Sequence, residues 1–379
     1  MISKFFPIFI FFLNSCTLIS EESYIPLSDL YADYFLIGNI LSGGMENGSK
    51  FRQDKKELGI LLSEFNCLTA ENSMKMAYMQ PEEGKYNFVA SDALVDLAHA
   101  ADMEIVGHAL VWHHQVPDWI FKDSKGNAVN REELIKRMKD HIFTIMNRYK
   151  GRIKYWDVVN EAVDLKINQK GEQEAFLRKS PWYEIIGEEY IELAYKFAHE
   201  ADPDAMLLYN DYSMTDLVKT RFVADMIKDL KAKGLPIHGV GIQGHWHLEW
   251  PSNEDLEEAS GILSDVGVMI SITELDIGVI PRPMGADISL KFDSEKELNP
   301  YRKEIPSFVL EQQAKKYESL FKIFLENSDV IERVSFWGVV DHYSWLRNWP
   351  IEGRTVYPAI FDRNYNPKPA YFMLRKLVE

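Results

Sequence analysis

From about residue 35 the chain alternates two patterns: short apolar, β-rich runs, and longer runs whose apolar positions recur at helical spacing. The short runs predict eight strands: "YFLIGNIL", "NCLTAEN", "EIVGHALVW", "IKYWDVVNE", "AMLLYND", "GVGIQGHWH", "VMISITELD" and "RVSFWGVV". Between them the periodicity predicts helices over 50–65, 88–103, 131–149, 183–201, 217–233, 253–266 and 308–326, with "KPAYFMLRKLVE" closing the chain. Strands apolar on both faces, each followed by a helix, argue for a parallel sheet covered by helices. Eight such units in about 340 residues suit a closed barrel better than an open doubly wound sheet, so the fold class is α/β, a single (β/α)₈ TIM barrel. No Ser/Thr/Pro-rich linker interrupts the alternation, and 35–379 reads as one domain. The longest irregular stretch is 277–307, a length that serves function more often than core packing.

The first residues are a different material. Lys4 precedes the apolar run "FFPIFIFFL", and "NS" leads to Cys16. Such a run is too short for a permanent membrane span but matches the h-region of an export signal, which is assigned to 1–15. "LNSC" also resembles the lipobox of bacterial lipoproteins. In that reading an acylated Cys16 attaches the protein to a membrane, and 16–34 is an N-terminal tether. Simple secretion is the other reading, and either one puts the protein outside the cytoplasm, secreted or in the cell envelope. The other cysteine, Cys67, lies within apolar "EFNCLTA" and reads as a small core residue.

Composition narrows the partners. With 46% hydrophobic and 26% charged residues the chain is ordinary globular material. Its 42 Lys+Arg against 58 Asp+Glu give a formal charge of -16, a field that repels nucleic acid and anionic membrane surfaces. A neutral ligand fits better, and the chain is expected to act as a monomer.

In a barrel of this kind the C-terminal strand ends surround one cavity. Here those ends carry "TAEN", His108 to Trp112, Asn160–Glu161, Asn210–Asp211, Gln243 with His245, and Glu274 with Asp276. Two glutamates on facing strands are the minimum for cleaving a glycosidic bond by double displacement, one protonating the leaving oxygen while the other attacks the anomeric carbon. The fourth and seventh strands, bearing Glu161 and Glu274, face each other. Residues two apart share a strand face, so Glu274 pairs with Asp276 and Gln243 with His245. His245, oriented by Asp276, can keep Glu274 anionic as the nucleophile. Glu161 has no cation beside it in sequence and is suited to hold a proton, which makes it the acid/base.

"WDVVNEA" and "ITELD" resemble the acid/base and nucleophile motifs of glycoside hydrolase family 10, the endo-β-1,4-xylanases. "TAENSMK", "GHALVWHHQVPDW", "YNDY", "GIQGH", "FWGVVDHYSW" and "YPAIFD" follow in the family's order, so the resemblance covers nearly the whole chain from about residue 38. It implies retaining endo-hydrolysis of xylan and xylo-oligosaccharides without a cofactor or metal. It makes Glu161 the acid/base, Glu274 the nucleophile and Asn160 the partner of the sugar 2-hydroxyl, with His245 and Asp276 supporting the nucleophile. Glu71, Asn72, Lys75 and Gln115 would bind sugar on the non-reducing side, His108, Trp112, Trp337 and Trp345 would wall that subsite, and Tyr212 and Gln243 would complete the substrate-binding set. The sequence departs from the family at Ala109, His114 and Ala359–Ile360, away from the catalytic positions.

Competing readings are weaker. "HWH" (245–247) and "HH" (113–114) lack the spacing of a zinc site. The G-x-G-x-x-G at Gly239, Gly241 and Gly244 lies inside a strand instead of opening a helix. "NGS" (47–49) fits a glycosylation sequon, which a bacterial-type leader makes a chance match. Trp156, at mid-strand, reads as packing. A β-1,4-glucanase or mixed-specificity glycosidase is the nearest functional rival, and a non-hydrolytic sugar-binding lipoprotein is the rival from another class.

Overall fold

The computed structural model describes residues 24–42, 54–280, 299–350 and 352–379. Its strands are β1 (Leu36–Leu41), β2 (Cys67–Ala70), β3 (Glu104–Val111), β4 (Tyr155–Asn160), β5 (Val163–Ile167), β6 (Gln173–Leu177), β7 (Met206–Asp211), β8 (Gly239–Ile242), β9 (His245–His247), β10 (Met269–Gly278) and β11 (Ile331–Phe336). The helices are α1 (Leu27–Leu30), α2 (Lys55–Glu64), α3 (Met76–Met79), α4 (Val89–Ala100), α5 (Arg131–Tyr149), α6 (Pro181–Ile186), α7 (Glu189–Ala201), α8 (Leu217–Ala232), α9 (Asn253–Asp265), α10 (Ser307–Glu326) and α11 (Pro369–Lys376). Neighbours pair in the order β1-β2-β3-β4-β7-β8-β10-β11, and β11 pairs back onto β1, all in parallel. The sheet is therefore a closed eight-stranded barrel, and each predicted strand supplies one stave.

Burial on both faces explains why these runs are continuously apolar. Along β4, Tyr155 packs with Cys67, Val106 and Leu208 inside the barrel, whereas Trp156 and Val158 join the large core shared with the helices. Trp156 is thus packing, and it requires Gly107 opposite: a Cβ there would stand 2.2 Å from the indole. Cys67 is fully buried.

The structure departs from the sequence expectations at several elements. Helix 183–201 is two helices, α6 and α7, because Gly187 takes φ 90 between them. Helix 50–65 is described from Lys55, where the Asp54 carboxylate accepts the Lys56 and Glu57 N–H groups as an N-cap. An antiparallel hairpin of β5 and β6, not predicted, rises just past Glu161. β9 continues β8 after a break at Gln243–Gly244 and pairs with the upper half of β10, aligning His245 with Asp276. The last strand stops at Phe336, whereas β10 runs on to Gly278, shortening the expected 277–307 loop.

Only part of the expected 16–34 tether is described, and that part is not a tether. Leu27 and Tyr31 are fully buried, the Leu27 N–H donates to Glu64 Oε2 (3.0 Å) and the Tyr31 hydroxyl donates to the Leu374 carbonyl (2.7 Å). The folded unit thus begins before residue 35. The expected export signal, Cys16, the "NGS" sequon and residues 281–298 of the long loop lie outside the described residues.

Candidate active site

Glu161 is the first residue beyond β4, and its φ of 57 puts it in the left-handed region, which costs a side chain with a Cβ on the order of 1–3 kcal/mol. Gln115, also at the site, shares this property with φ 46. The buried Glu161 carboxyl accepts two hydrogen bonds, from Trp112 Nε1 to Oε2 (2.8 Å) and from Gln243 Nε2 to Oε1 (2.9 Å). Its backbone carbonyl accepts from Arg178 Nε (3.1 Å), a residue placed by the hairpin. Burial above all, then the charge of Asp211, pushes its pKa up; the two hydrogen bonds oppose this incompletely, and Glu274 adds to the rise. The group is suited to hold a proton.

Glu274, inside β10, has the opposite surroundings. Asn210 Nδ2 donates to Oε1 (2.8 Å) and His245 Nε2 to Oε2 (3.0 Å). Burial pushes its pKa up, yet the His245 hydrogen bond, the field of His108 and the His245 charge outweigh it and leave the carboxyl below the usual range. His245 in turn meets Asp276 Oδ2 through Nδ1 (3.0 Å), and Trp345 Nε1 donates to the same oxygen (2.8 Å). Burial works against the imidazolium, but Asp276 and Glu274 together raise the His245 pKa to about 9. Period-two spacing along β10 and the β8–β9 break thus yields a cation flanked by two carboxylates.

The two glutamates are tied together through Gln243, whose side chain holds Glu161 and whose carbonyl accepts the Glu274 N–H (2.7 Å). One of its two amide hydrogens is therefore committed to Glu161, so Gln243 acts on the acid itself. Asn210 is aimed by Thr273 Oγ1, which donates to its Oδ1 (2.6 Å). The amide occupies space that Gly241 leaves open, since a Cβ on that glycine would stand 2.1 Å from Asn210 Oδ1. The Asn160 amide lies against Asn210; with its oxygen turned to Trp112 Nε1 (3.2 Å), its nitrogen donates to the Asn210 carbonyl (3.1 Å).

Beside this pair lies a polar cluster. Lys75 Nζ donates to Gln115 Oε1 (2.7 Å) and Asn72 Oδ1 (3.2 Å) and sits 4.8 Å above the Trp112 ring. Gln115 Nε2 reaches both Asn72 Oδ1 and the Tyr78 hydroxyl at 3.0 Å. Burial lowers the Lys75 pKa, while Glu274, Glu71 and Glu161 pull it back up. His108 is held by Asp157 Oδ2 through Nδ1 (2.8 Å), with Trp337 edge-on at 5.6 Å. Trp345 stacks on Trp349 at 5.4 Å. Tyr212 accepts a hydrogen bond from Arg178 and lies under Lys219 Nζ, 3.8 Å from its ring centroid. Glu71 follows directly on β2, half-buried. Of the two histidine motifs, His113 and His114 pack against Trp112, while Trp246 of "HWH" points into the core.

Asn210, Thr273, Asp157 and Arg178 went without a role in the sequence reading. Asn210 was visible as a polar strand end, and Asp157 and Thr273 as polar residues interrupting apolar strands. Arg178 carried no signal, because the hairpin that places it was not foreseen.

Comparison with known proteins agrees with this architecture. The model of glycosyl hydrolase family 10 matches residues 26–377. An endo-1,4-β-xylanase A of Xylanibacter ruminicola is 42% identical over 356 residues, covering 93% of each chain. A β-1,4-xylanase of Dictyoglomus thermophilum is 40% identical over 350 residues, 92% of this chain and 90% of that one. Among solved structures, a family 10 endoxylanase from a sugarcane soil metagenome superposes with a TM-score of 0.85 at 43% identity, covering 93% of this chain and 99% of the other. With a barrel, two strand-end glutamates and a match over almost its whole length, the chain belongs to glycosyl hydrolase family 10.

Proposed function

We propose that this protein is an endo-1,4-β-xylanase that cleaves internal xylosidic bonds of xylan with retention of anomeric configuration. The observation that carries the mechanism is the opposed electrostatic setting of the two buried carboxyls, Glu161 pushed toward the acid and Glu274 toward the anion. The names of the relatives given above, each a xylanase, support the substrate class.

In the first half-reaction a Glu274 oxygen attacks the anomeric carbon, the bond to the leaving oxygen breaks, and Glu161 gives that oxygen its proton. In the second, water attacks the same carbon, Glu161 takes the proton from the water, and the ester bond to Glu274 breaks. Asn210 and His245 hold the Glu274 oxygens in place, so the attacking lone pair is aimed before substrate arrives. Lys75, Asn72 and Gln115 supply charged and amide partners for the hydroxyl rim of a sugar whose C–H face meets Trp112 or Trp345. This mechanism requires the carboxyl groups to stand about 5–5.5 Å apart.

Proton NMR of the first product formed from xylohexaose tests retention: the β-anomer is expected, and initial formation of the α-anomer would refute the double displacement. Glu274→Ala is expected to abolish turnover while xylo-oligosaccharide binding stays measurable by calorimetry. A β-1,4-glucanase needs room for a hydroxymethyl group, and the bulk of Trp345, tied to Asp276 and stacked on Trp349, supports a wall there instead. Initial rates on xylan should therefore exceed those on soluble cellulose, and the reverse order would favour the glucanase reading. The protein is further assigned to the cell envelope through the "LNSC" leader. Cys16→Ala should release it from the membrane fraction, and its retention there would remove the anchor.

A further inference from the structure

Beyond Asn160 the chain leaves β4, and three successive backbone N–H groups pass to β7. Glu161 N–H donates to the Asn210 carbonyl (2.9 Å), Ala162 N–H to the Tyr209 hydroxyl oxygen (3.1 Å) and Val163 N–H to Asp211 Oδ2 (3.4 Å). The Tyr209 hydroxyl gives its own hydrogen to that same Asp211 oxygen. The other oxygen, Oδ1, accepts from Lys219 Nζ (2.7 Å) and from the Tyr212 N–H (2.9 Å). Tyr209, Asp211 and Lys219 have no solvent exposure.

A buried ion pair is weak evidence of a stability role, because desolvating both charges offsets their attraction. The proposed reaction uses none of the three side chains. Tyr209 and Asp211, the latter held by Lys219, bond instead to the two peptide groups that follow the acid/base, next to the residue held in a backbone conformation it does not favour.

We propose that Tyr209, Asp211 and Lys219 are positioning residues for Glu161. They anchor the Ala162–Val163 backbone so that Glu161 keeps its left-handed conformation and presents its carboxyl to Trp112 and Gln243, and the Asp211 charge helps to keep the proton on it. This rests on Glu161 being the acid/base. The charged and titratable groups acting on or beside Glu161 are Asp211 from β7, Glu274 from β10, Arg178 past β6, Lys75 past β2, and the Tyr212 hydroxyl; Trp112 and Gln243 supply its hydrogen bonds. After burial, Asp211 is the strongest influence raising the Glu161 pKa, ahead of Glu274.

The test compares kcat/KM across pH for two substrates. Xylohexaose has a poor leaving group that needs a proton, whereas 2,4-dinitrophenyl β-xylobioside expels its phenolate without one. Glu161→Ala is the reference: it should lose about a hundredfold or more on xylohexaose and little on the dinitrophenyl glycoside. If Glu161→Ala loses both alike, the acid/base reading itself fails. With that reference in hand, Asp211→Asn should move the alkaline limb for xylohexaose to lower pH by on the order of one unit, about a tenfold loss on that limb, with the dinitrophenyl rate held within about twofold. Tyr209→Phe removes one hydroxyl and no charge, and should lower the xylohexaose rate several-fold while sparing the dinitrophenyl rate. An unmoved alkaline limb in Asp211→Asn, or equal losses on both substrates, would overturn the proposal. Should Asp211→Asn fail to fold by circular dichroism, Tyr209→Phe decides alone, and a wild-type ratio of the two rates overturns it.

Discussion

His245 lies between two carboxylates, and its proton links catalysis to stability. Its pKa is about 9 in the folded protein against an ordinary value near 6.5, so folding strengthens proton binding. That contribution is fully present below about pH 6.5 and is lost as pH rises through about 9. Urea unfolding of the wild type and His245→Gln should therefore show a difference of a few kcal/mol near pH 6 that shrinks toward pH 10. Activity should respond on the other limb. Removing the cation takes away a hydrogen bond and a charge that lower the Glu274 pKa, so the acidic limb of kcat/KM should move to higher pH in that variant. An acidic limb unchanged in position would mean that His245 does not keep Glu274 ionised.

The staves were legible because a parallel barrel buries both strand faces, which leaves apolar runs without alternation. The β5–β6 hairpin was not, because it stands outside the strand–helix rhythm, its strands pair only with each other, and the apolar–charged alternation of "VDLKI" lasts only five residues. Its apolar face is covered only at the base, where Val163 is buried, and Ile167 farther along is 68% exposed. Yet this element delivers Arg178 to the Glu161 carbonyl. β8 shows the opposite case, where a missing side chain does the work. Gly241→Ala would drive a Cβ into the Asn210 amide and against Thr273, both of which serve Glu274. It should cost about 1–3 kcal/mol in thermal or urea unfolding and lower kcat on xylan about tenfold or more. Gly239→Ala, whose Cβ would meet Leu208 at 3.2 Å on the same strand, should spare kcat far more.

Taken as a closed barrel, the molecule joins its two described ends. The Tyr31 hydroxyl binds the Leu374 carbonyl, and Tyr371 and the Leu27 N–H share the Glu64 carboxyl between them. A domain boundary at residue 35 severs all of this. A chain starting at Tyr24 should exceed one starting at Phe35 by several kcal/mol in unfolding free energy, since the shorter chain forfeits the fully buried Leu27 and Tyr31 side chains at about 1.5–3 kcal/mol each. The alternating strand and helix pattern does not announce α1, because four residues are too few to display a period.

The amino-acid sequence by itself determined the succession of strands and helices, the polar residues carried at strand ends, and the shared face of Glu274 and Asp276, since these follow from period and spacing along the chain; β9 pairing with β10 then brought His245 to them. It also carried the motif order that marks the family. Tertiary structure alone decided what surrounds each carboxyl. Gln243 reaches Glu161 across 82 residues, Asn210 reaches Glu274 across 64, and Arg178 arrives on a hairpin. Such contacts exist only once the barrel closes in one register, and the left-handed turn at Glu161 is held by groups from β7 that no local pattern specifies. The reason is physical: burial and charge act through space, and space between distant residues is set by how the staves pack.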